Sequence, residues 1–181
     1  MNYAIMITLT RVASVPVICL LYSLGFKVMS VVVFALSAMT DWLDGYIARK
    51  MLLESVTGAW LDFSADKIIL ITGLFLVAHA AHDQWVLMCC IVISVREIIA
   101  VSIRGWLADS SQTFRLSVSL IAKLKTAVQF TSIVLILLLI DTDYDLALYF
   151  AWIMFYLSVV LTVYSLYDYA VQCWNLSDMR E

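Results

Sequence analysis

Four aspartates stand inside or at the rim of two apolar stretches. One stretch closes on Thr40-Asp41-Trp42-Leu43-Asp44-Gly45-Tyr46-Ile47-Ala48-Arg49, and the next opens on Gly58-Ala59-Trp60-Leu61-Asp62-Phe63-Ser64-Ala65-Asp66-Lys67. On a helix, Asp41, Asp44, Gly45 and Ala48 fall at i, i+3, i+4 and i+7, and Gly58, Asp62 and Asp66 at i, i+4 and i+8. Each segment therefore carries one narrow acidic face lined with small residues. Ionised carboxylates near hydrocarbon are costly unless paired or coordinated, and like charges on one face repel further. Arg49, Lys50 and Lys67 offer pairing at a membrane rim, but divalent cations relieve the repulsion of four acids better. An all-oxygen donor set suits a hard ion, Mg²⁺ or Mn²⁺, one or two of them; zinc is disfavoured because neither His nor Cys joins the cluster. Gly45 and Gly58, two of only five glycines, would by themselves serve close helix packing, and beside a metal cluster they leave room for a bulky ligand.

The elements that must position these acids are membrane helices. The 181 residues are 64% hydrophobic and 14% charged, with mean hydropathy +0.98, far above the roughly 45–50% apolar content of soluble domains. A span takes about 20 apolar residues, and apolar blocks lie near residues 5–24, 28–50, 59–81, 84–107, 117–140 and 145–170. The expected fold is all-α: a single polytopic membrane domain over residues 1–181 with six transmembrane helices. Arg11 would fall in the middle of the first span, so a short N-terminal interfacial helix up to Thr10 is expected before it. No basic region or cleavage signal accompanies the first apolar block, which is expected to remain as a span. Lys and Arg gather between the second and third blocks (Arg49, Lys50) and around the fourth-to-fifth connection (Arg104, Arg115, Lys123, Lys125). By the positive-inside rule those connections and both termini face the cytoplasm, and so do the aspartates. A net charge of −3 with scattered bases argues against nucleic acid. Cys19, Cys89, Cys90 and Cys173 lack metal or disulfide spacing and read as small core residues.

The pattern Asp41-x2-Asp44-Gly45-x2-Ala48-Arg49-x8-Gly58-x3-Asp62-x3-Asp66 resembles, at all eight fixed positions, the signature of the CDP-alcohol phosphatidyltransferases, integral membrane enzymes of phospholipid synthesis. The resemblance implies six spans, usually a homodimer, and two metals held by Asp41, Asp44, Asp62 and Asp66. It places the CDP-diacylglycerol pyrophosphate and cytidine near Asp41, Asp44, Gly45, Ala48, Arg49 and Gly58, and makes Asp66 the base that takes the acceptor's proton. The physical chemistry agrees, because paired metals stabilise both attacking and leaving oxygens of an in-line displacement. No Ser or Cys has a His within helical reach, so direct attack by the acceptor is simpler than a covalent intermediate.

Acceptor choice falls to the rest of the chain. Arg96 lies within the fourth block beside Glu97, Arg104 follows two turns later, and Lys123 and Lys125 open the fifth. These cations exceed what one Glu balances, and an anionic acceptor such as a phosphate would complete the pairing. Arg104, Lys123 and Lys125 could equally snorkel to headgroups, whereas Arg96 is deep for that. Arg96-Glu97-Ile98-Ile99, Lys123-Leu124-Lys125-Thr126-x2-Gln129 and Thr8-x2-Arg11-x4-Pro16 are similar to segments of the family branch that uses glycerol 3-phosphate. That resemblance implies glycerol 3-phosphate as acceptor, Arg96, Arg104 and Lys123 as phosphate ligands with Lys125 beside them, and a bacterial inner membrane as the setting. Phe63 stands where many members have Pro, and their Asn-Pro-Asn-like N-terminus is missing. Inositol phosphate is the nearest alternative acceptor.

His79, His82 and Asp83 read as outer-loop residues, Asp141, Asp143 and Asp145 as a solvated outer turn, and the aromatics from Tyr144 to Tyr169 as lipid-facing and interfacial. A divalent-cation transporter would also use intramembrane acids. It would need polar residues at every depth, yet Val31–Leu36 and Ile69–Val77 are almost wholly apolar.

Overall fold

Among the described residues, long apolar runs punctuated by Gly, Asp and Lys form six helices. A computed structural model describes the backbone of residues 3–51, 56–109 and 120–178, and the side chains of residues 10–39, 65–103 and 124–167. In chain order these are α1 (Tyr3–Ser23), α2 (Lys27–Met51), α3 (Val56–Ala81), α4 (Gln84–Asp109), α5 (Leu120–Leu139) and α6 (Asp145–Asp178), with no strand among the described residues. Even α5, the shortest at 20 residues, is about 30 Å long at 1.5 Å per residue, the thickness of bilayer hydrocarbon. Gln84–Ile103 and Asp145–Tyr167 are long and apolar enough to cross a membrane by length and composition. The helix bounds follow the apolar blocks closely, except that α6 continues past residue 170 to Asp178.

Short connections at one end make sequence neighbours antiparallel. After α1, Gly25 takes φ 86°, a left-handed conformation that a Cβ would oppose. With it, the Phe26 amide bonds the Leu21 carbonyl (2.9 Å) and the Gly25 amide bonds the Tyr22 carbonyl (3.1 Å), closing the orphan carbonyls of the last turn. Asp83 caps α4 through its side chain, accepting from the Trp85 amide at 2.7 Å. Lys27 and Asp141 form an ion pair at 2.5 Å that ties the start of α2 to the α5–α6 turn.

In the bundle, α5 lies along α6, α1 against α2 and α3, α4 against α3 and α6, and both α2 and α3 touch α5. Phe34, Ile69, Leu74, Ile93, Ile133 and Phe155 fill the centre. The approach is tight at Gly73 of α3, where a Cβ would sit 2.6 Å from Phe34 Cζ and 3.0 Å from Ile133 Cγ2. The exterior is apolar: Leu20, Val28, Phe75, Trp85, Leu146 and Val160 are all exposed. A surface of this kind belongs in hydrocarbon.

The expected break between an interfacial helix ending at Thr10 and a first span is absent, since α1 runs unbroken from Tyr3 through Arg11. The reason is electrostatic. Arg11 is buried at 2% exposure and its Nη1 donates to Asp66 Oδ1 of α3 at 3.5 Å, so the charge that argued against a helix interior has a partner across the bundle.

Candidate functional site

The helical backbone carries α2 through Asp41, Asp44, Gly45, Ala48 and Arg49, and α3 through Gly58, Asp62 and Asp66. Both acidic stripes therefore keep the helical register read from the sequence, on two helices that touch. The side chains of Asp41, Asp44, Gly45, Ala48, Arg49, Gly58 and Asp62 lie outside the described residues, as do those of Arg104 on α4 and Lys123 on α5. Asp66 is described: it is about one-third exposed and accepts from Arg11.

One residue further along α3 begins a second charged group. Lys67 Nζ donates to Glu97 Oε2 at 2.5 Å. The other oxygen, Oε1, accepts from Arg96 Nη1 at 2.8 Å and from Lys125 Nζ. Arg96 Nη2 in turn donates to Ser165 Oγ. Glu97 thus joins α3, α4 and α5, and Arg96 extends the group to α6. Glu97 is 1% exposed, and Arg96 and Lys125 are buried with it. Charges so far from water are held only by partners of opposite sign and well-formed hydrogen bonds. Three cations and one carboxylate carry a formal charge of +2 on these four side chains.

Two expected acceptor residues, Arg96 and Lys125, are brought together here. They meet on Glu97 rather than standing clear of it, because a buried carboxylate next in sequence to Arg96 draws every cation within reach. Lys67, read from the sequence only as a rim partner of the aspartates, proves to be the third member. It lies about 100° around α3 from Asp66, a displacement that could have signalled a different neighbour. Arg11 was noticed for its depth, but its partner 55 residues away had no sequence signal.

Beneath Lys125 the polar character continues. Gln129, one turn further along α5, is wholly buried, and among the described residues neither its Nε2 nor its Oε1 has a hydrogen-bond partner. Ser158, Thr162 and Ser165 form a buried polar face of α6 at i, i+4 and i+7. His79 and His82 sit at the opposite end of the bundle, their rings 5.6 Å apart.

An apolar exterior around an acidic helix pair and a buried basic group is an arrangement for a reaction on a charged substrate at a membrane. Residues 1–164 match the CDP-alcohol phosphatidyltransferase family. The chain belongs to this family. Among similar proteins, "CDP-diacylglycerol--glycerol-3-phosphate 3-phosphatidyltransferase" of Wigglesworthia glossinidia brevipalpis is 35% identical, covering 92% of this chain and 86% of that protein. The protein of the same name from Yersinia pestis (strain Pestoides F) is 33% identical, covering 100% and 98%, and that of Sodalis glossinidius (strain morsitans) is 33% identical, covering 93% of each. Membership makes the chain a phosphatidyl-transferring enzyme, and the signature from Asp41 to Asp66 falls within the matched residues.

Proposed function

We propose that this CDP-alcohol phosphatidyltransferase moves the phosphatidyl group of CDP-diacylglycerol to glycerol 3-phosphate, giving phosphatidylglycerophosphate and CMP. The observation that carries the acceptor is the step from Asp66 to Lys67, where the acidic signature ends and the buried basic group of Lys67, Arg96 and Lys125 begins. A reacting hydroxyl beside Asp66 and a phosphate beside the cations describe one small molecule. The names borne by similar proteins along nearly the whole chain support the same reading.

In this reading the acceptor hydroxyl oxygen bonds to the phosphatidyl phosphorus, the bond from that phosphorus to the oxygen of CMP breaks, and Asp66 takes the hydroxyl proton. Arg11 Nη1 lies 3.5 Å from one Asp66 oxygen and leaves the other to the acceptor. Gly45, Ala48 and Gly58, with Arg49, make room for the cytidine and pyrophosphate against Asp41 and Asp44. Oxygen-only donors on two helices in contact suit a hard divalent ion, so Asp41, Asp44, Asp62 and Asp66 would hold Mg²⁺ or Mn²⁺, two ions in all. Bound there, the ions would supply charge neutralisation for the pyrophosphate. Lys125 and Arg96, with Arg104 and Lys123 further along the same helices, would receive the acceptor phosphate. The loop charges support a site at the cytoplasmic face, and the bacterial relatives fit an inner membrane.

The test is CMP release by detergent-purified protein given CDP-diacylglycerol and Mg²⁺, with glycerol 3-phosphate, inositol 1-phosphate, serine or no acceptor. Release with glycerol 3-phosphate alone, lost in a chelator and restored by Mg²⁺, is expected. Release with a different acceptor alone overturns the acceptor assignment, and silence from folded protein with every acceptor overturns the activity.

A further inference from the structure

Gln129 is an amide with two donor hydrogens and two acceptor sites, wholly buried, with nothing bonded to either end. A leucine would fill that place without leaving polar groups unpaired, and natural interiors contain few such orphans. The side chain is therefore placed for a polar atom that the described residues do not provide.

Its surroundings say which kind. Gln129 follows Lys125 by one turn on the same face of α5, and Lys125 bonds Glu97 beside Arg96, which bonds Ser165 of α6. Going inward from Ser165 along that face of α6 come Thr162 and Ser158. Thr162 Oγ1 donates to the Ser158 carbonyl and Ser158 Oγ to the Phe155 carbonyl, each at 2.7 Å. Their single hydrogens are spent on their own helix, so these hydroxyls offer lone pairs alone. One turn beyond Gln129 the interior shuts: Ile133, Phe34 and Gly73 meet so closely that a methyl on Gly73 would overlap Phe34. Gln129 thus lies between a basic group above and a sealed apolar layer below. A ligand that bonds both levels has an anion at one end and an uncharged hydroxyl about one helical turn, roughly 5.4 Å, away.

We propose that Gln129 is a specificity-determining residue that recognises the non-reacting hydroxyl of the acceptor. The inference rests on the proposed function, in which the acceptor is a polyol phosphate. Its phosphate faces Lys125 and Arg96, its reacting hydroxyl faces Asp66, and its secondary hydroxyl meets the carboxamide of Gln129. The enzyme would then select against phosphate esters that lack this hydroxyl, because using them leaves the amide unpaired.

The experiment compares wild type, Gln129→Leu and Gln129→Met, each as purified full chain, on glycerol 3-phosphate and on 3-hydroxypropyl phosphate, which lacks only the secondary hydroxyl. Wild type is expected to favour glycerol 3-phosphate in kcat/KM by at least about tenfold, and both variants to bring that ratio to within about twofold. The KM for CDP-diacylglycerol should not change, and the ligand-free variants should melt no lower than wild type. A ratio that stays at its wild-type value in both variants, or equal use of the two acceptors by wild type, overturns the role of Gln129 while leaving the proposed function standing. Failure of wild type to use either acceptor overturns both.

Discussion

Asp66 and Glu97 are both acidic side chains beside a cation, yet they answer to different demands. Asp66 is partly exposed and shares one oxygen with Arg11 at 3.5 Å, a loose contact. Asp66→Asn keeps the shape and a hydrogen-bond acceptor for Arg11 but removes the proposed base. Transfer should fall by at least about 10²-fold, read as kcat for CMP release, with the melting temperature within a few degrees of wild type. A variant of near-normal kcat would remove Asp66 from proton transfer. Glu97 is buried and bonds three cations, offsetting one of their charges. Glu97→Gln leaves them uncompensated away from water, a loss of about 3–5 kcal/mol in such settings, so the variant should unfold at distinctly lower temperature or denaturant in detergent. Unchanged stability would mean that water or lipid headgroups reach the cations. The sequence made the acids conspicuous because charge in an apolar run is visible at once. It hid their partners, since Arg11 and Asp66, like Lys67 and Glu97, meet only through tertiary packing, at separations of 55 and 30 residues.

At the scale of elements, the six helices were legible because each apolar run is as long as a bilayer is thick, and Gly25 and Asp83 mark ends with a known geometry. Arg11 misled for the same reason that it was informative: a cation in hydrocarbon needs either a helix boundary or a partner, and sequence shows only boundaries. Gly73 gave no signal, being one glycine in an apolar run, whereas Gly45 and Gly58 stood out beside aspartates. Its importance is steric. Phe34 is wholly buried and its ring lies 5.8 Å from that of Phe130, so it cannot swing aside when a Cβ arrives at 2.6 Å. Gly73→Ala should therefore cost about 1–3 kcal/mol, the usual range for overpacking, measured as a fall in thermal midpoint. Adding Phe34→Leu should return part of the loss, a coupling that a double-mutant cycle detects. Additive losses would show that α2, α3 and α5 do not meet at this point.

The whole molecule is polarised from end to end. Aspartates, Lys67, Arg96, Glu97, Lys125 and Gln129 occupy the half of the bundle nearer the α2–α3 and α4–α5 connections. The other half closes over Phe34, Gly73 and Ile133, with the Lys27–Asp141 pair beyond it. Reacting groups gathered at one end of the bundle are served by a soluble acceptor from one side of the membrane, so orientation decides which pool the enzyme draws on. In sequence Arg49 and Lys50 follow the Asp41–Asp44 stripe, while Asp141, Asp143 and Asp145 stand at the other end of the bundle, and the positive-inside rule predicts a cytoplasmic position for the acidic end. In intact cells a membrane-impermeant maleimide should label Asp143→Cys above the background of the native cysteines, and should label Ser55→Cys, between α2 and α3, only after permeabilisation. The reverse pattern would direct the aspartates and the basic group away from the cytoplasm. A phosphorylated acceptor made inside the cell would then have to cross the bilayer before Asp66 could meet its hydroxyl, and a charged ester does not cross hydrocarbon unaided. The labelling pattern therefore tests the acceptor as well as the topology, since a cytoplasmic site is a requirement of the chemistry proposed for it.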